Sequence, residues 1–552
     1  MSSIAFVGAG PTTLYALKTL LAHDVRGARI TLFEAQDTAG VGTPYRPGWN
    51  DPAMLSNIAS AEIPPVTETL LGWLQSQPAA ELADLGVDIG RIDDRAFVPR
   101  VVLGRYFQSQ LTVLAERARA AGVRLDIRTG CRVVDAANRP EGLELTIRPP
   151  VGAVETTLFD HVVLATGHQW PSRQEVRPGY FASPWPATAL ADVPATEVGL
   201  RGSSLTAIDV AVALAGRHGA FVRRGPQLVY EPAPGTEAFR VTMMSRKGVL
   251  PEADFYFPLP HGPLQVFTEA ALRARADEGS AGLLDAVFAL FKAELQRVDP
   301  DYVASVGLAD ATLEAFGEAY FEARTHTDPF VWAAANLAEA RANHAARRTV
   351  AWRDAILRMH EVAAVIVPHL DARDFQRFNQ HLKPVFVDAY AAVPHESVER
   401  MLALHAAGKL RVVALGDDHV IDTRRAEGGA ALIEGDQVQH FPIFIEATGQ
   451  RPLGAIQFPF LSLLEQGVIR DDPAGDPDAA SRGILIDDAF HPVAGGLPDD
   501  RLFCLSLPFI LGRHPFAQGV TSSHQMGETV GRRLAQALAR RGDAVDSLKA
   551  VA

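Results

Sequence analysis

Short apolar runs that end at glycine turns recur along this chain, and they predict its elements. Ile4-Ala5-Phe6-Val7 is a continuous apolar run suited to a buried parallel strand. It leads into Gly8-Ala9-Gly10-Pro11-Thr12-Thr13 and a helix, and a second strand, Ile30-Thr31-Leu32-Phe33, ends at Glu34. Strand, glycine turn, helix, strand and acid in that order predict a dinucleotide-binding βαβ unit. Gly8 permits the tight turn, and Gly10 lets the backbone approach a pyrophosphate. The helix opening at Pro11 and Thr12 presents free N–H donors, and Glu34 holds ribose hydroxyls. Thr13 occupies the third fingerprint position, where glycine or alanine is usual, so helix and strand are expected to stand slightly farther apart. The plain alternative is an ordinary glycine-capped βα turn.

A second copy of the pattern begins at Glu197-Val198-Gly199-Leu200-Arg201, passes through Gly202-Ser203-Ser204, and continues into a helix with the apolar run Val210 to Ala215. Ser204 replaces the middle glycine, and it is small enough for close ligand approach. The following strand, Phe239 to Met244, ends in Ser245-Arg246-Lys247. Cations and a hydroxyl at that position suit a 2′-phosphate, which favours NADPH over NADH. A solvated basic turn is the competing reading. Two further strands echo each other: Val162-Val163-Leu164-Ala165-Thr166-Gly167-His168 and Phe444-Ile445-Glu446-Ala447-Thr448-Gly449-Gln450, with prolines at Pro171 and Pro452. A buried strand meeting a glycine is what a crossover between two dinucleotide domains requires.

From Ala253 to His405 the pattern is largely helical, with Leu283, Leu284, Val287, Phe288 and Phe291 at helix spacing as core residues. Trp352, Arg353, Arg358, His360 and His369 fall on one apparent helix with Val362 to Val367. Arg353 and His360, seven apart, share a face on which a cation and an imidazole converge on a polar ligand; helix-surface ion pairs are the alternative. Arg100, at a helical start, pairs with a cofactor phosphate or with a neighbouring acid. His168 lies near the cofactor or hydrogen-bonds locally.

Length and composition narrow the function. A chain of 552 residues, 47% hydrophobic, is long enough for two to four domains. Its net charge of −13 argues against a nucleic-acid or anionic-membrane surface. Two cysteines, Cys131 and Cys504, exclude a disulfide framework and a CxxC dithiol, and no metal-ligand spacing is present, so no metal is expected. The apolar amino-terminal run lacks a basic start and breaks at Gly8. No run approaches the ~20 apolar residues of a membrane helix, so the expected location is cytoplasmic.

Gly8-Ala9-Gly10-Pro11, Glu34, Gly40-Val41-Gly42-Thr43-Pro44-Tyr45, Ser56-Asn57-Ile58-Ala59, Ala165-Thr166-Gly167-His168 and Ser245-Arg246-Lys247 resemble the bacterial FAD/NAD(P)-binding flavoproteins. The likeness runs on through Pro251 to Tyr256 and Trp352 to His360 and ends near Gln518-Gly519-Val520-Thr521. The family is similar to two-dinucleotide flavin monooxygenases, among them amine N-hydroxylases, and lies near FAD-dependent urate hydroxylases. The resemblance implies that Gly8, Gly10 and Glu34 bind the ADP half of FAD and that Gly40 to Tyr45, including Gly42 and Thr43, approach the ribityl and flavin together with Asn57. Gly519 and Thr521 would meet the flavin pyrimidine edge, and Gly167 would lie at the crossover. Gly202, Ser204, Ser245 and Arg246 would hold the nicotinamide nucleotide. The FxGxxxHxxxW signature of Baeyer–Villiger enzymes is missing, which speaks against that reaction.

The expected fold is α/β: two Rossmann-like domains, for FAD and NAD(P)H, with a helical insertion. Residues 1–175 and 448–552 form the FAD domain, 195–252 and 406–447 the NAD(P)H domain, and 253–405 a substrate cover. The expected activity is FAD-dependent, NAD(P)H-consuming hydroxylation, by dioxygen, of a small polar nitrogen-containing substrate, either a urate-like heterocycle or an amine. The rivals are an FAD-containing NAD(P)H reductase with a non-oxygen acceptor, and a flavin-binding redox sensor. Neither nucleic acid nor membrane is an expected partner.

Overall fold

The computed structural model describes residues 2–416, 418–425, 427–473, 481–493, 496–498, 500–517 and 519–551. The chain opens with β1 (Ser3–Val7), α1 (Pro11–Leu21) and β2 (Arg29–Phe33). Next, α2 (Arg100–Ala120) leads into β3 (Arg124–Arg128). An antiparallel meander of β4 (Arg132–Arg139), β5 (Gly142–Arg148) and β6 (Glu155–Phe159) precedes β7 (His161–Leu164). Then come β8 (Glu175–Arg177), β9 (Tyr180–Phe181), β10 (Glu197–Arg201) and α3 (Leu205–His218). The hairpin of β11 (Gly219–Arg224) and β12 (Gln227–Pro232) is followed by β13 (Arg240–Ser245). The helical stretch includes α4 (Leu283–Val298), α5 (Leu313–Thr325), α6 (Pro329–Ala346), α7 (Ala351–Ala363) and α8 (Lys383–Tyr390). The chain continues through α9 (His395–Ala406), β14 (Leu410–Ala414), a meander of β15 (Val420–Asp422), β16 (Ala430–Glu434) and β17 (Gln437–Phe441), and β18 (Ile443–Glu446). It closes with β19 (Leu502–Cys504) and α10 (Val520–Val551).

Two compact units result: Met1–Arg46 with Ala59–Gln169 and Gln450–Ala552, and Pro47–Ile58 with Trp170–Gly449. The first carries a parallel sheet in the order β19-β7-β1-β2-β3. The second carries the order β14-β13-β10-β18-β9-β8, parallel as far as β9. The four strands β7-β1-β2-β3 thus have counterparts in β18-β10-β13-β14, and each set has a three-stranded meander before its last strand in the chain. Both sheets are Rossmann-like, and the apolar runs that predicted them are buried: Ile4, Ala5, Phe6, Val162, Val163 and Leu164 in one, Val198, Leu200, Phe444 and Ile445 in the other.

The helical region lies within the second unit and follows β13 in the chain, as residues 34–99 follow β2 before α2. Its predicted core positions Leu283, Leu284, Val287, Phe288 and Phe291 are all buried. The Phe291 ring packs on Phe267, Phe288, Phe316 and Phe386.

Two expectations are corrected. Residues 47–58, placed by the sequence in the FAD domain, belong to the second unit, because Trp49 and Met54 pack with Trp185, Ala187 and Ala213 there. Arg400 also donates to the Ala53 carbonyl at 2.6 Å. The helix expected to run through His369 ends at Ala363 and tightens into a 3-10 segment, Ala364–His369, in which Pro368 has no N–H to continue the α-ladder. No described helix is long and apolar enough to cross a membrane.

Candidate dinucleotide-binding sites

In the first unit the chain must turn sharply from β1 into α1. Gly8 does so at φ +102°, and a Cβ there would collide with the Ala165 carbonyl oxygen. The Gly8 N–H donates to the Phe33 carbonyl at 2.8 Å, and its own carbonyl accepts from Thr13 Oγ1 at 2.7 Å. Thr13 is therefore buried as a tie that closes the turn. Gly10 caps α1 without a side-chain cap, and the first turn carries no acid. The N–H groups and dipole of that helix end are left for an anion.

Glu34 is buried beside this turn. Its Oε2 accepts from the Ala9 N–H at 3.3 Å, its Oε1 from the Gln36 N–H at 3.0 Å, and Arg46 Nη2 stands 3.5 Å away. Gly42 fits over Pro11, whose Cδ would lie 2.6 Å from any added Cβ, and a single 3-10 turn, Thr43–Tyr45, follows. Thr12 is half-buried in the first turn of α1. Arg100 begins α2, and its charge reaches both Tyr45 and His168. Burial, reinforced by Arg100, pushes His168 down to about 4, so the imidazole is neutral at pH 7. Just before it, Gly167 turns at φ +69°, and the Thr166 and Ser506 hydroxyls are 2.7 Å apart.

The long helix α10 brings a second amino end to this unit. A Cβ on Gly527 would lie 2.6 Å from Tyr15 Cβ, and one on Gly531 2.6 Å from the Ala16 carbonyl oxygen. Gly531 also meets Thr19, so the contacts advance together and α10 runs parallel to α1. At 1.5 Å per residue α10 begins roughly 6 Å before α1 does. Gly519 and Thr521 stand at that end, Gly519 exposed and Thr521 half-buried. Gln518 lies outside the described residues. An uncapped helix end, a turn that excludes a Cβ, a held carboxylate and a second helix end facing the same way fit the pyrophosphate, ribose and ring of FAD.

In the second unit Gly202, at φ +132°, repeats the role of Gly8: a Cβ there would lie 2.5 Å from the Ala447 carbonyl oxygen. Its N–H donates to the Met244 carbonyl at 2.7 Å. Ser204 caps α3 by position, yet its side chain makes no cap bond, it is exposed, and the first turn has no acid. Ser203 is buried, with Oγ 2.8 Å from Ser245 Oγ and donating to the Val249 carbonyl at 2.7 Å. Ser245 Oγ in turn accepts from the Gly248 N–H at 3.2 Å. The Ser245 hydroxyl thus shapes the turn that presents Arg246, which is exposed. Lys247 is spent over the Phe321 ring, 4.8 Å from its centroid.

Other expected site residues have different surroundings. Asn57 is exposed in the segment assigned to the second unit. Arg353 is buried against Glu252, Nη2 to Oε2 at 3.2 Å, with Glu339 3.7 Å away and Trp352 beneath its guanidinium. His360 donates from Nδ1 to the Leu357 carbonyl and packs on Tyr390, and burial pushes it down to about 4. Each of the two has partners of its own, Arg353 through its ion pairs and His360 through a main-chain carbonyl. The sequence reading missed Arg46, Ser203 and Ser506, which orient Glu34, Ser245 and Thr166. No periodicity marks such residues, because each acts through a partner distant in the chain. The Ala-Thr-Gly echo was the one available signal, and its alanine carbonyls are what close both glycine turns.

A family model described as FAD-NAD(P)-binding matches residues 5–169, and one described as YdhS-like middle domain matches residues 268–390. The Escherichia coli (strain K12) protein YdhS is 39% identical over 544 residues, 98% of each chain. The ornithine hydroxylase PvdA from Pseudomonas aeruginosa shares the fold at a TM-score of 0.50 and 12% identity, over 97% of this chain and 99% of that one. The Kutzneria sp. 744 ornithine N-hydroxylase KtzI aligns at 0.48 and 13%, over 98% and 99%. The cofactors of this chain are FAD and a nicotinamide dinucleotide.

Proposed function

This chain belongs to the YdhS family, and from that premise we propose that it is an FAD-dependent, NAD(P)H-consuming monooxygenase acting on a small polar nitrogen-containing substrate. The observation that carries the reading is the matched pair of turns, Gly8 closed by Ala165 and Gly202 closed by Ala447, each feeding a helix without a side-chain cap. Two dinucleotide cradles in one polypeptide suit hydride passage from one cofactor to the other. Bound FAD supplies the redox chemistry, accepting hydride from the nicotinamide and passing electrons to dioxygen.

The chain's own residues bind and orient. The amino end of α1 faces the pyrophosphate, Glu34 the ribose, and Arg246 the 2′-phosphate that distinguishes NADPH. Neutral His168, beside Arg100, offers a hydrogen bond without a second cation. Both cysteines are buried, and burial raises the Cys504 thiol above its ordinary value. A disulfide acceptor would therefore find no exposed thiol partner, which speaks against a dithiol relay.

The test is oxygen uptake with NADPH across a panel of diamines, basic amino acids and oxidised purines. Hydroxylated product matching oxygen consumed, with an amine or a urate-like heterocycle, supports the reading and identifies the substrate class. Peroxide as the sole oxygen product, with NADPH oxidation strongly accelerated by an added non-oxygen acceptor, makes the chain a reductase.

A further inference from the structure

Asp254, His344 and His395 come from three elements: the segment after β13, the last turn of α6 and the first residue of α9. All are half-buried, and one ligand atom from each lies within 4.8 Å of the others. His344 Nε2 is 3.2 Å from Asp254 Oδ2, yet this buried nitrogen makes no hydrogen bond. A His–Asp hydrogen bond would set the N–H in line with the oxygen. The observed separation instead matches the edge of a tetrahedron around a cation with bonds of about 2.0–2.1 Å, an edge of roughly 3.3 Å.

His395 strengthens this reading. Its Nε2 lies 2.8 Å from the Asp254 main-chain oxygen, which only accepts, so Nε2 carries the proton and Nδ1 keeps its lone pair. In a site that His395 enters through Nδ1, the bond from Nε2 to a carbonyl would be the usual outer arrangement of a metal ligand. The nearby Arg341 is engaged by Glu399 at 2.6 Å.

The cluster stands at the neck of the middle region. Val393 N–H donates to the Glu252 carbonyl and Asp254 N–H to the Val393 carbonyl, both at 2.8 Å, joining the outgoing and returning chains in a short parallel bridge. We propose that Asp254, His344 and His395 bind one first-row divalent cation of the zinc type, with water as fourth ligand, and that it clamps this neck. Two imidazoles and one carboxylate favour such a cation over calcium or magnesium. The ligands are too far apart in sequence to form a spacing motif, which is why the sequence predicts no metal.

The full chain, stripped with chelator and dialysed against Zn2+, should retain one equivalent and melt at a higher temperature than the stripped form. Asp254→Asn, nearly isosteric, and His344→Ala should each weaken Zn2+ binding at least tenfold and abolish the thermal gain, whereas His326→Ala should change neither. X-ray absorption should show a nitrogen and oxygen shell without sulfur. No uptake of Zn2+, Co2+ or Mn2+ by the wild-type chain overturns the proposal, as does undiminished binding by a folded Asp254→Asn protein. None of these readouts depends on flavin or on turnover.

Discussion

Gly8 and Gly10 do different work within three residues of each other. Gly8 is held at φ +102° against the Ala165 carbonyl, so Gly8→Ala should destabilise the first unit by about 3 kcal/mol or more, seen as a lowered unfolding midpoint. Gly10 has ordinary extended backbone, φ −88°, and its nearest obstacle to a Cβ is Gly42 Cα at 3.2 Å. Gly10→Asp should therefore leave the far-UV spectrum nearly unchanged while removing bound flavin, because a carboxylate would occupy the phosphate end of α1. In the second unit Arg246 is exposed beyond a turn fixed by Ser203 and Ser245. Arg246→Ala should raise the KM for NADPH about tenfold and leave that for NADH nearly constant; equal changes would remove its phosphate role. Burial holds His168, His360 and His514 near 4. Below pH 6.5 the unfolded chain takes up protons that these folded rings refuse, at about 1.4 kcal/mol per unit of depression. Stability should be full above pH 6.5 and fall toward pH 4, and His168→Asn should flatten part of that slope in pH-dependent denaturation.

Between elements, packing decides what periodicity leaves open. Helices α1 and α10 approach closely because Gly527 and Gly531 present no side chain to Tyr15, Ala16 and Thr19. Gly527→Leu should push the two helices apart at a cost of about 1–3 kcal/mol and loosen flavin, measured as a faster release on dilution. The strands and glycine turns were legible in the sequence because each is dictated locally: a short apolar run makes a buried strand, and only glycine takes the turn. Thr13 was legible as a departure but not as a remedy, since its bond to the Gly8 carbonyl appears only in three dimensions. The end of α7 was misread because the apolar run Val362 to Val367 outweighed Pro368. Glu252, the ion-pair partner of Arg353, was not legible because it lies about a hundred residues away and no spacing rule connects the two.

At the scale of the whole chain, one plan is used twice. Each copy has a parallel sheet, a glycine turn closed by an Ala-Thr-Gly segment and a meander before the last of its four matched strands. The repeat was visible in sequence only as the tripeptide echo and two degraded glycine fingerprints, since sheet order is not encoded in any local window. The excursion of residues 47–58 into the second unit was invisible because its anchors, Trp49 and Met54, meet partners more than a hundred residues away. In the proposed function the two ends of the chain hold FAD and the interior holds a nicotinamide nucleotide. Its most direct test is the visible spectrum of the purified full chain, before and after anaerobic addition of NADPH. One FAD per chain, bleached by NADPH, is the predicted result; a chain that binds no FAD even after reconstitution would contradict it.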